Sequence, residues 1–440
     1  MKNNKYGLFT TIAMIVGVVI GSGIFFKSDN ILVATGGSIS LGALAFCVAA
    51  ISIIFGSLTV AELAARNDAA GGVISYAEDA YNGGVGCCFG WFQTFLYYPT
   101  LVAVITYVVG VYTCLLFNIE SSLETCSLIG LVTLLIIFFL SLFSSKLAGY
   151  FQNAATIIKL IPLIIIGVAG FIWGNPSFEI LSDTKTLQTG SWLAALAPIV
   201  FSFDGWIVAT SISHEVKDAK KNIPFALILA PVFILLIYLM YFIGISIYLG
   251  PETIMAEGDA HVNHAALTLF GPWSAKALLI FIIISVAGTA NGLMMALFQL
   301  PYSLGLRKMF PCSEKMVKIS PRLGTPYISG LVALIISLFW SILHYITQKY
   351  NLLPNSDVSE ISITFNYISF ILLYVHVLRL GLQGQIKGFW KSKVNPILAI
   401  VGSLIILYVG MQSPLFWMYL TICAVFMVTA YIFWKKNATS

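Results

Sequence analysis

Twelve apolar runs, each about long enough to cross a bilayer, divide this chain and leave little room for anything else. A membrane-spanning helix needs about 20 mostly apolar residues. By that rule spans fall at 8–34, 39–65, 85–117, 124–143, 148–173, 191–214, 224–249, 274–303, 325–347, 358–381, 395–410 and 414–434. The connections are too short for a separate soluble domain, so the sequence predicts one all-α, polytopic membrane domain over 1–440. Charged residues make up 9% of the chain, against about 25% in soluble proteins, and they cluster between the runs. Lys2 and Lys5 ahead of an apolar run resemble a signal peptide, but the pattern continues past Gly21-Ser22-Gly23 and is read as a retained span.

Lys and Arg placement sets the expected orientation. With an N-terminus in the cytoplasm, eighteen of the 23 Lys and Arg residues fall on that side and only Lys185, Lys276 and Lys349 on the other. Both termini are therefore expected in the cytoplasm, in a multi-pass protein of the cell membrane. The net charge of +5 follows from this topology and carries no nucleic-acid signal. The seven cysteines form no CxxC or Cys/His cluster. Cys114 and Cys126 flank one outer loop and can in principle pair, but free buried thiols are expected. No metal or cofactor motif is present, and no cofactor is expected.

Two spans are interrupted. The first breaks at Gly21-Ser22-Gly23, the sixth around Ser202-Phe203-Asp204-Gly205. They lie five spans apart, and five is odd, so a repeat of spans one to five in spans six to ten must be inverted. Interrupted helices at matching places in two inverted halves point to a transporter's substrate site. A glycine-rich stretch can instead mark close helix packing, but two in register, one holding an acid, favour a site. Backbone that leaves the helix inside a membrane must find partners in protein or water. Its bare N–H groups near Ser22, Gly23 and Ile24 suit a carboxylate. Its bare carbonyls near Val19 and Ile20, and near Phe201 and Ser202, suit an ammonium. Together they would clamp a zwitterion, with glycines allowing close approach.

At these residues the chain resembles the amino acid–polyamine–organocation superfamily, and within it the bacterial relatives of the L-type amino acid transporters. "IGSGIF" (20–25) is similar to the signature of the family's first span. "AELAARNDAAGGVISYAEDAY" (61–81), "TIIKLIPLIIIG" (156–167), "FSFDGWIVATSISHEVKDAKKNIPFAL" (201–227) and "GTANG" (288–292) resemble later family segments, in order. The resemblance implies a LeuT-like 5+5 inverted repeat with 12 transmembrane helices. Residues 1–173 would form the first repeat, 191–381 the inverted second and 395–434 two further helices. It implies sodium-independent exchange of small neutral amino acids by alternating access. It places the carboxylate on Ser22, Gly23 and Ile24, and the amine on the carbonyls of Val19, Phe201 and Ser202 with Asp204's backbone. It makes Phe201 an aromatic lid. The surroundings of Cys126 do not match the motif by which family members join a heavy chain, so none is expected. Asp68, Ile207 and Leu300-Pro301-Tyr302 depart from the family pattern, which bears on subfamily and substrate.

Charges inside spans carry the remaining argument. Lys159 stands about eleven residues into its span. Snorkelling from there would have to cover about 16 Å at 1.5 Å per residue, so its ammonium must face protein or water. It reads as a built-in cation, which the family resemblance implies would brace the first break, or as a proton carrier; a packing lysine is the plainer alternative. Lys27, beside Asp29, is near enough the outer boundary for a positional role. Asp204 either fixes the turn of span six or attracts cationic substrates, and the structural role is favoured. Glu62, Glu78, Asp79, His214 and Glu215 gather at cytoplasmic ends and are expected to be a solvated rim or to gate by pairing with Arg66 or Lys217. Tyr97, Tyr98, Ser285, Asn291 and Asn366 are candidates for side-chain selectivity. Enzyme chemistry is disfavoured: no HExxH occurs, and GxSxG fails because Ile20 holds its first position. Proton-coupled amino acid import and exchange of cationic amino acids or amines remain the alternatives.

Overall fold

A computed structural model describes residues 5–21, 23–174, 195–353 and 356–438. The first expected span is three pieces: α1 (Leu8–Val19), α2 (Gly23–Phe26) and α3 (Ser28–Ala34). Then come α4 (Ile39–Arg66), the short α5 (Val73–Ala80), α6 (Gly83–Phe117), α7 (Leu123–Phe143) and α8 (Ser145–Trp173). The sixth expected span is also divided, into α9 (Leu196–Ser202) and a 3₁₀ helix (Val208–Glu215). The second half continues with α10 (Ala219–Leu249), α11 (Pro251–Glu257), α12 (His261–Phe270), α13 (Ser274–Gly305), α14 (Tyr327–Lys349), α15 (Glu360–Leu382), α16 (Trp390–Gly410) and α17 (Phe416–Ala438). Among the described residues ten of these helices are long and apolar enough to cross a membrane: α4, α6, α7, α8, α10 and α13 to α17. The connection at 250–273 holds α11 and α12, and α11 packs on α3.

Local chemistry explains several of these ends. Ser38, Asn82, Ser122 and Ser144 each accept a bond from the backbone N–H three residues on, which starts α4, α6, α7 and α8. Ser144 also ends α7, so one residue turns the chain between two antiparallel spans. Small residues decide how closely helices cross. A Cβ on Gly167 would stand 3.0 Å from the Met240 carbonyl, and one on Gly170 would strike the backbone at Gly244. Thus α8 and α10 meet backbone to backbone, as small-residue interfaces allow in lipid. Large apolar side chains on α7, α14 and α17, such as Ile136, Ile335 and Trp417, are exposed as a lipid-facing belt requires.

The broken segments sit inside this bundle. α1 packs on α8, α10 and α13, and its residues 13–19 are all buried. α9 packs on α4. Tyr6 pairs with Val216 at the isolated β-bridge, near Ser145 at the start of α8. At the other end of the chain Trp434 lies against Gly83 at the start of α6. α6 and α8 both start at the same face of the bundle, since α7 returns the chain between them, so the two chain ends share that face.

The N-terminal strap ties that face together. Lys5 N–H donates to the Glu215 carbonyl (2.9 Å), and Lys217 N–H donates to the Tyr6 carbonyl (2.9 Å). The Lys5 ammonium reaches Glu215 Oε1 (2.6 Å), Ser145 Oγ (3.2 Å) and the Gly324 carbonyl (3.1 Å). The Tyr6 hydroxyl donates to the Ser145 carbonyl (3.0 Å). The acidic groups read as a solvated rim or as partners of Arg66 or Lys217 have other partners. Glu215 holds Lys5, Glu78 holds Arg307 (2.8 Å), Glu62 holds Lys391 (2.9 Å), and Asp79 accepts from Asn67 Nδ2 (2.6 Å). Arg66 instead donates to the Gln385 carbonyl (2.5 Å). The Lys5–Glu215 pair is nearly buried, so Glu215→Gln should weaken the strap by about 1–3 kcal/mol. Hydrogen exchange at the amides of residues 5–7 should speed up by about tenfold or more; unchanged protection would make the ion pair dispensable.

Candidate functional site

The sequence opens α1 and α9 because glycines and a buried acid replace helix-forming residues there. The fold then supplies partners for the freed backbone. A helix leaves its last carbonyls without intrahelical donors. At the end of α1 they are capped from α8: Lys159 Nζ donates to the carbonyls of Gly17 (2.6 Å) and Ile20 (2.6 Å) and lies 3.3 Å from Thr289 Oγ1. The threonine hydroxyl is itself 3.0 Å from the Gly17 carbonyl. All three ammonium donors are thus placed, and the positive charge sits where a helix dipole is negative. Lys159 is fully buried, as its depth in the sequence requires. From α10 the Tyr238 hydroxyl lies 3.1 Å from the Val19 carbonyl and 2.7 Å from the Ser202 carbonyl, so its one proton is shared between the two breaks.

A cavity of about 100 Å³ lies where the breaks face each other. Val18, Val19, Gly21 and Gly23 line it from the first break, and Ser202, Asp204 and Gly205 from the second. Leu101, Val104, Ile105 and Val108 form a wall at helical spacing on α6, faced by Val286, Thr289 and Leu293 of α13. The walls are aliphatic, and among the described residues the polar groups are those of the broken backbone, Ser202, Asp204 and Thr289. Gly205 has φ +90°, in the left-handed region, and a Cβ there would stand 2.6 Å from Val18 Cγ1. A Cβ on Gly23 would stand 3.1 Å from Ser202 Oγ. Side chains at either place would close the gap between the breaks.

Of the residues expected to bind substrate, Val19, Gly23, Ser202 and Asp204 line this cavity. Ile20 and Ile24 are buried beside it; the Ile20 carbonyl faces Lys159. Ser22 and the side chain of Phe201 lie outside the described residues. The Val19 carbonyl already accepts two protein donors, the Gly21 N–H (3.0 Å) and the Tyr238 hydroxyl (3.1 Å), which fill both of its lone pairs, and the Ile20 and Ser202 carbonyls accept from Lys159 and Tyr238. Lys27 does not line the cavity.

Asp204 is held from α6. The Tyr97 hydroxyl donates to its Oδ2 at 2.8 Å, whereas Oδ1 is buried with no side-chain donor among the described residues. Tyr97 closes a π-helical turn, Gln93–Tyr97, which re-aims the side chains of α6 at this point. The other selectivity candidates scatter. The Tyr98 hydroxyl meets Ser211 Oγ (3.1 Å), Ser285 Oγ approaches the Gly21 carbonyl (3.5 Å), and Asn366 Oδ1 accepts from Gln93 Nε2 (3.1 Å). Asn291 Nδ2 donates to Gln152 Oε1 (2.8 Å) and the Ala148 carbonyl (3.1 Å), bracing α8 on α13. Sequence reasoning missed Tyr238 and Thr289, and the aliphatic wall of α6. The wall leaves no periodic signal, because α6 is apolar on every side. The thiols of Cys114 and Cys126 stand 3.8 Å apart in a hydrogen bond, both free of any disulfide.

Comparison with known proteins gives a consistent picture. Residues 6–430 match the family described as amino acid permease. The serine/threonine exchanger SteT of Bacillus subtilis (strain 168) is 28% identical over 408 residues, covering 92% of this chain and 90% of that protein. The b(0,+)-type amino acid transporter 1 of Mus musculus is 24% identical over 439 residues, covering 98% of this chain and 87% of its own length. The large neutral amino acids transporter small subunit 2 of Homo sapiens is 25% identical over 362 residues, or 78% of this chain and 66% of that one.

Proposed function

Because this chain belongs to the amino acid permease family, within the amino acid–polyamine–organocation superfamily, and is therefore a multi-pass amino acid transporter and not an enzyme, we propose that it exchanges small neutral L-amino acids without sodium. The observation that carries this reading is the cavity of about 100 Å³ shared by the two breaks. Roughly 10–15 Å³ of such space admits one water, so the cavity suits the handful of heavy atoms in alanine, serine or threonine. Its aliphatic walls suit a short side chain. In this reading the bare N–H groups of Ser22, Gly23 and Ile24 hold the carboxylate. The carbonyls of Val19, Ile20, Phe201 and Ser202 hold the ammonium, which competes with the protein donors already on Val19, Ile20 and Ser202, and Phe201 closes over the substrate. Lys159 occupies the carbonyls of Gly17 and Ile20 as a fixed cation, which supports transport without a bound metal ion.

The fold that goes with this function is a LeuT-like 5+5 inverted repeat. The two divided segments, 8–34 and 196–215, join the ten long helices to make twelve spans, working by alternating access. The face carrying both chain ends is the cytoplasmic one, and the N-terminal strap closes it. SteT, named a serine/threonine exchanger, supports the substrate class. A second reading, transport of cationic amino acids, draws on one observation: the Oδ1 of Asp204, on a residue lining the cavity, has no hydrogen-bond partner among the described residues.

Uptake of labelled serine into proteoliposomes tests the proposal, with vesicles empty or preloaded with unlabelled serine, sodium absent throughout. Preloading should raise initial uptake by about tenfold or more, as expected when the return step needs substrate. Equal uptake into empty vesicles driven by a proton gradient would replace exchange by symport, with Lys159 the first candidate for the proton.

A further inference from the structure

Asp204 poses a question that a neutral-substrate site must answer. It is a buried carboxylate lining the cavity, and no cationic side chain among the described residues balances it. A buried charge without a counter-ion is costly, and any ammonium that enters is drawn to it. An amino acid with a second ammonium would then be favoured over serine. The structure shows what stands against this. Tyr97 donates its hydroxyl to Oδ2 at 2.8 Å, and the N–H of Gly205 lies against the same carboxylate.

The position of Tyr97 is specific to that task. The π-turn Gln93–Tyr97 sets the tyrosine one turn before Leu101, the start of the aliphatic wall, so its ring is fully buried outside the cavity lining. The ring is locked by Phe92 (centroids 6.3 Å apart, stacked) and Tyr98 (5.0 Å, edge-on). With the ring held on both sides, the hydroxyl stays on Asp204.

We propose that Tyr97 is a specificity-determining residue that masks Asp204, so that the cavity accepts neutral amino acids and disfavours those carrying a second ammonium. This rests on the amino acid-exchange reading above. The mechanism is one of competition for lone pairs. While Tyr97 holds Oδ2, a substrate ammonium finds one of the carboxylate's acceptor sites already filled and must share the charge with a donor already in place. Without the hydroxyl the incoming ammonium becomes the main donor to the carboxylate, and its advantage over a substrate hydroxyl grows.

The test is a selectivity ratio. Exchange of labelled serine is inhibited with L-2,4-diaminobutyrate or with threonine, in wild type and in Tyr97→Phe, which keeps the packed ring. The preference for diaminobutyrate over threonine should rise by about tenfold in Tyr97→Phe, the equivalent of one strong hydrogen bond. Adding Asp204→Asn to Tyr97→Phe should abolish the gain, and Asp204→Asn alone should shift the ratio less than it does in the Tyr97→Phe background. An unchanged ratio in Tyr97→Phe, or the same rise with Asp204→Asn present, would overturn the masking role. So would equal effects of Asp204→Asn in both backgrounds, a comparison that also exposes a purely steric effect of the lost oxygen. Wild-type protein that does not exchange serine at all would instead refute the exchange reading itself.

Discussion

Lys159→Met should give a protein that assembles in the membrane yet exchanges amino acids at about one hundredth of the wild-type rate or less. The ammonium makes two bonds of 2.6 Å to the carbonyls of Gly17 and Ile20. Hydrogen bonds to a charged group contribute about 1.5–3 kcal/mol each. Losing both removes about 3 kcal/mol or more of support from the open end of α1, a factor of about 100 at least. Methionine keeps most of the side-chain volume, so a cavity is not the cause of the loss. Thr289 cannot take over, since its hydroxyl already bonds the Gly17 carbonyl and reaches no further. The measurement is initial exchange in proteoliposomes, normalised to folded protein by gel filtration and thermal unfolding. Exchange near the wild-type rate would reduce Lys159 to a packing residue whose charge the site does not use.

Gly205→Ala should be nearly as damaging although it adds a single methyl. At φ +90° a residue with a Cβ is strained by about 1–2 kcal/mol. The new Cβ would also stand 2.6 Å from Val18 Cγ1, and overpacking of this kind costs about 1–3 kcal/mol. The turn of the second break would have to move away from α1, carrying Asp204 off Tyr97 and widening the gap between the two breaks. A fall in exchange of at least about thirtyfold is expected from the sum. Gly21→Ala is the control. It belongs to the more conspicuous Gly-Ser-Gly motif, yet the nearest atom to its Cβ is Thr289 Oγ1 at 3.6 Å, an ordinary contact, and it has no positive φ. Exchange in Gly21→Ala should stay within about threefold of wild type, since the added methyl meets only one ordinary contact and no backbone strain. If Gly21→Ala were the more harmful of the two, the break would depend on backbone approach by the substrate at Gly21 more than on the turn at Gly205.

The contrast between these glycines shows how far a sequence reads. Both breaks were visible in it, because glycine clusters and an acid inside long apolar runs conflict with an uninterrupted helix. Lys159 was visible for a similar reason: at its depth no side chain reaches the membrane surface. Which glycine is sterically obligatory was not visible, since that depends on Val18 and Thr289 arriving from other helices. The acidic groups at the N-terminal face were found, read as a solvated rim or as pairing with Arg66 or Lys217, and the partners in the structure are different ones. Arg66 is close to Glu62 in the chain, yet it reaches the Gln385 carbonyl, while Lys391, far along the chain, reaches Glu62.

The sequence by itself determined that this chain spans a membrane many times, where its two helices open, and that a lysine and an acid are held inside. Those conclusions follow from one-dimensional quantities: the length of an apolar run, the weakness of glycine in a helix, and the penalty for a charge far from water. Tertiary structure alone decided who answers each opened or buried group. Lys159 caps α1 from 139 residues away, Tyr238 bridges both breaks, and Tyr97 holds Asp204 across 107 residues. Helices apolar on every side carry no stripe to announce which face will meet which neighbour. Pairing among them is settled by close packing and by the few polar groups that must find one another out of water.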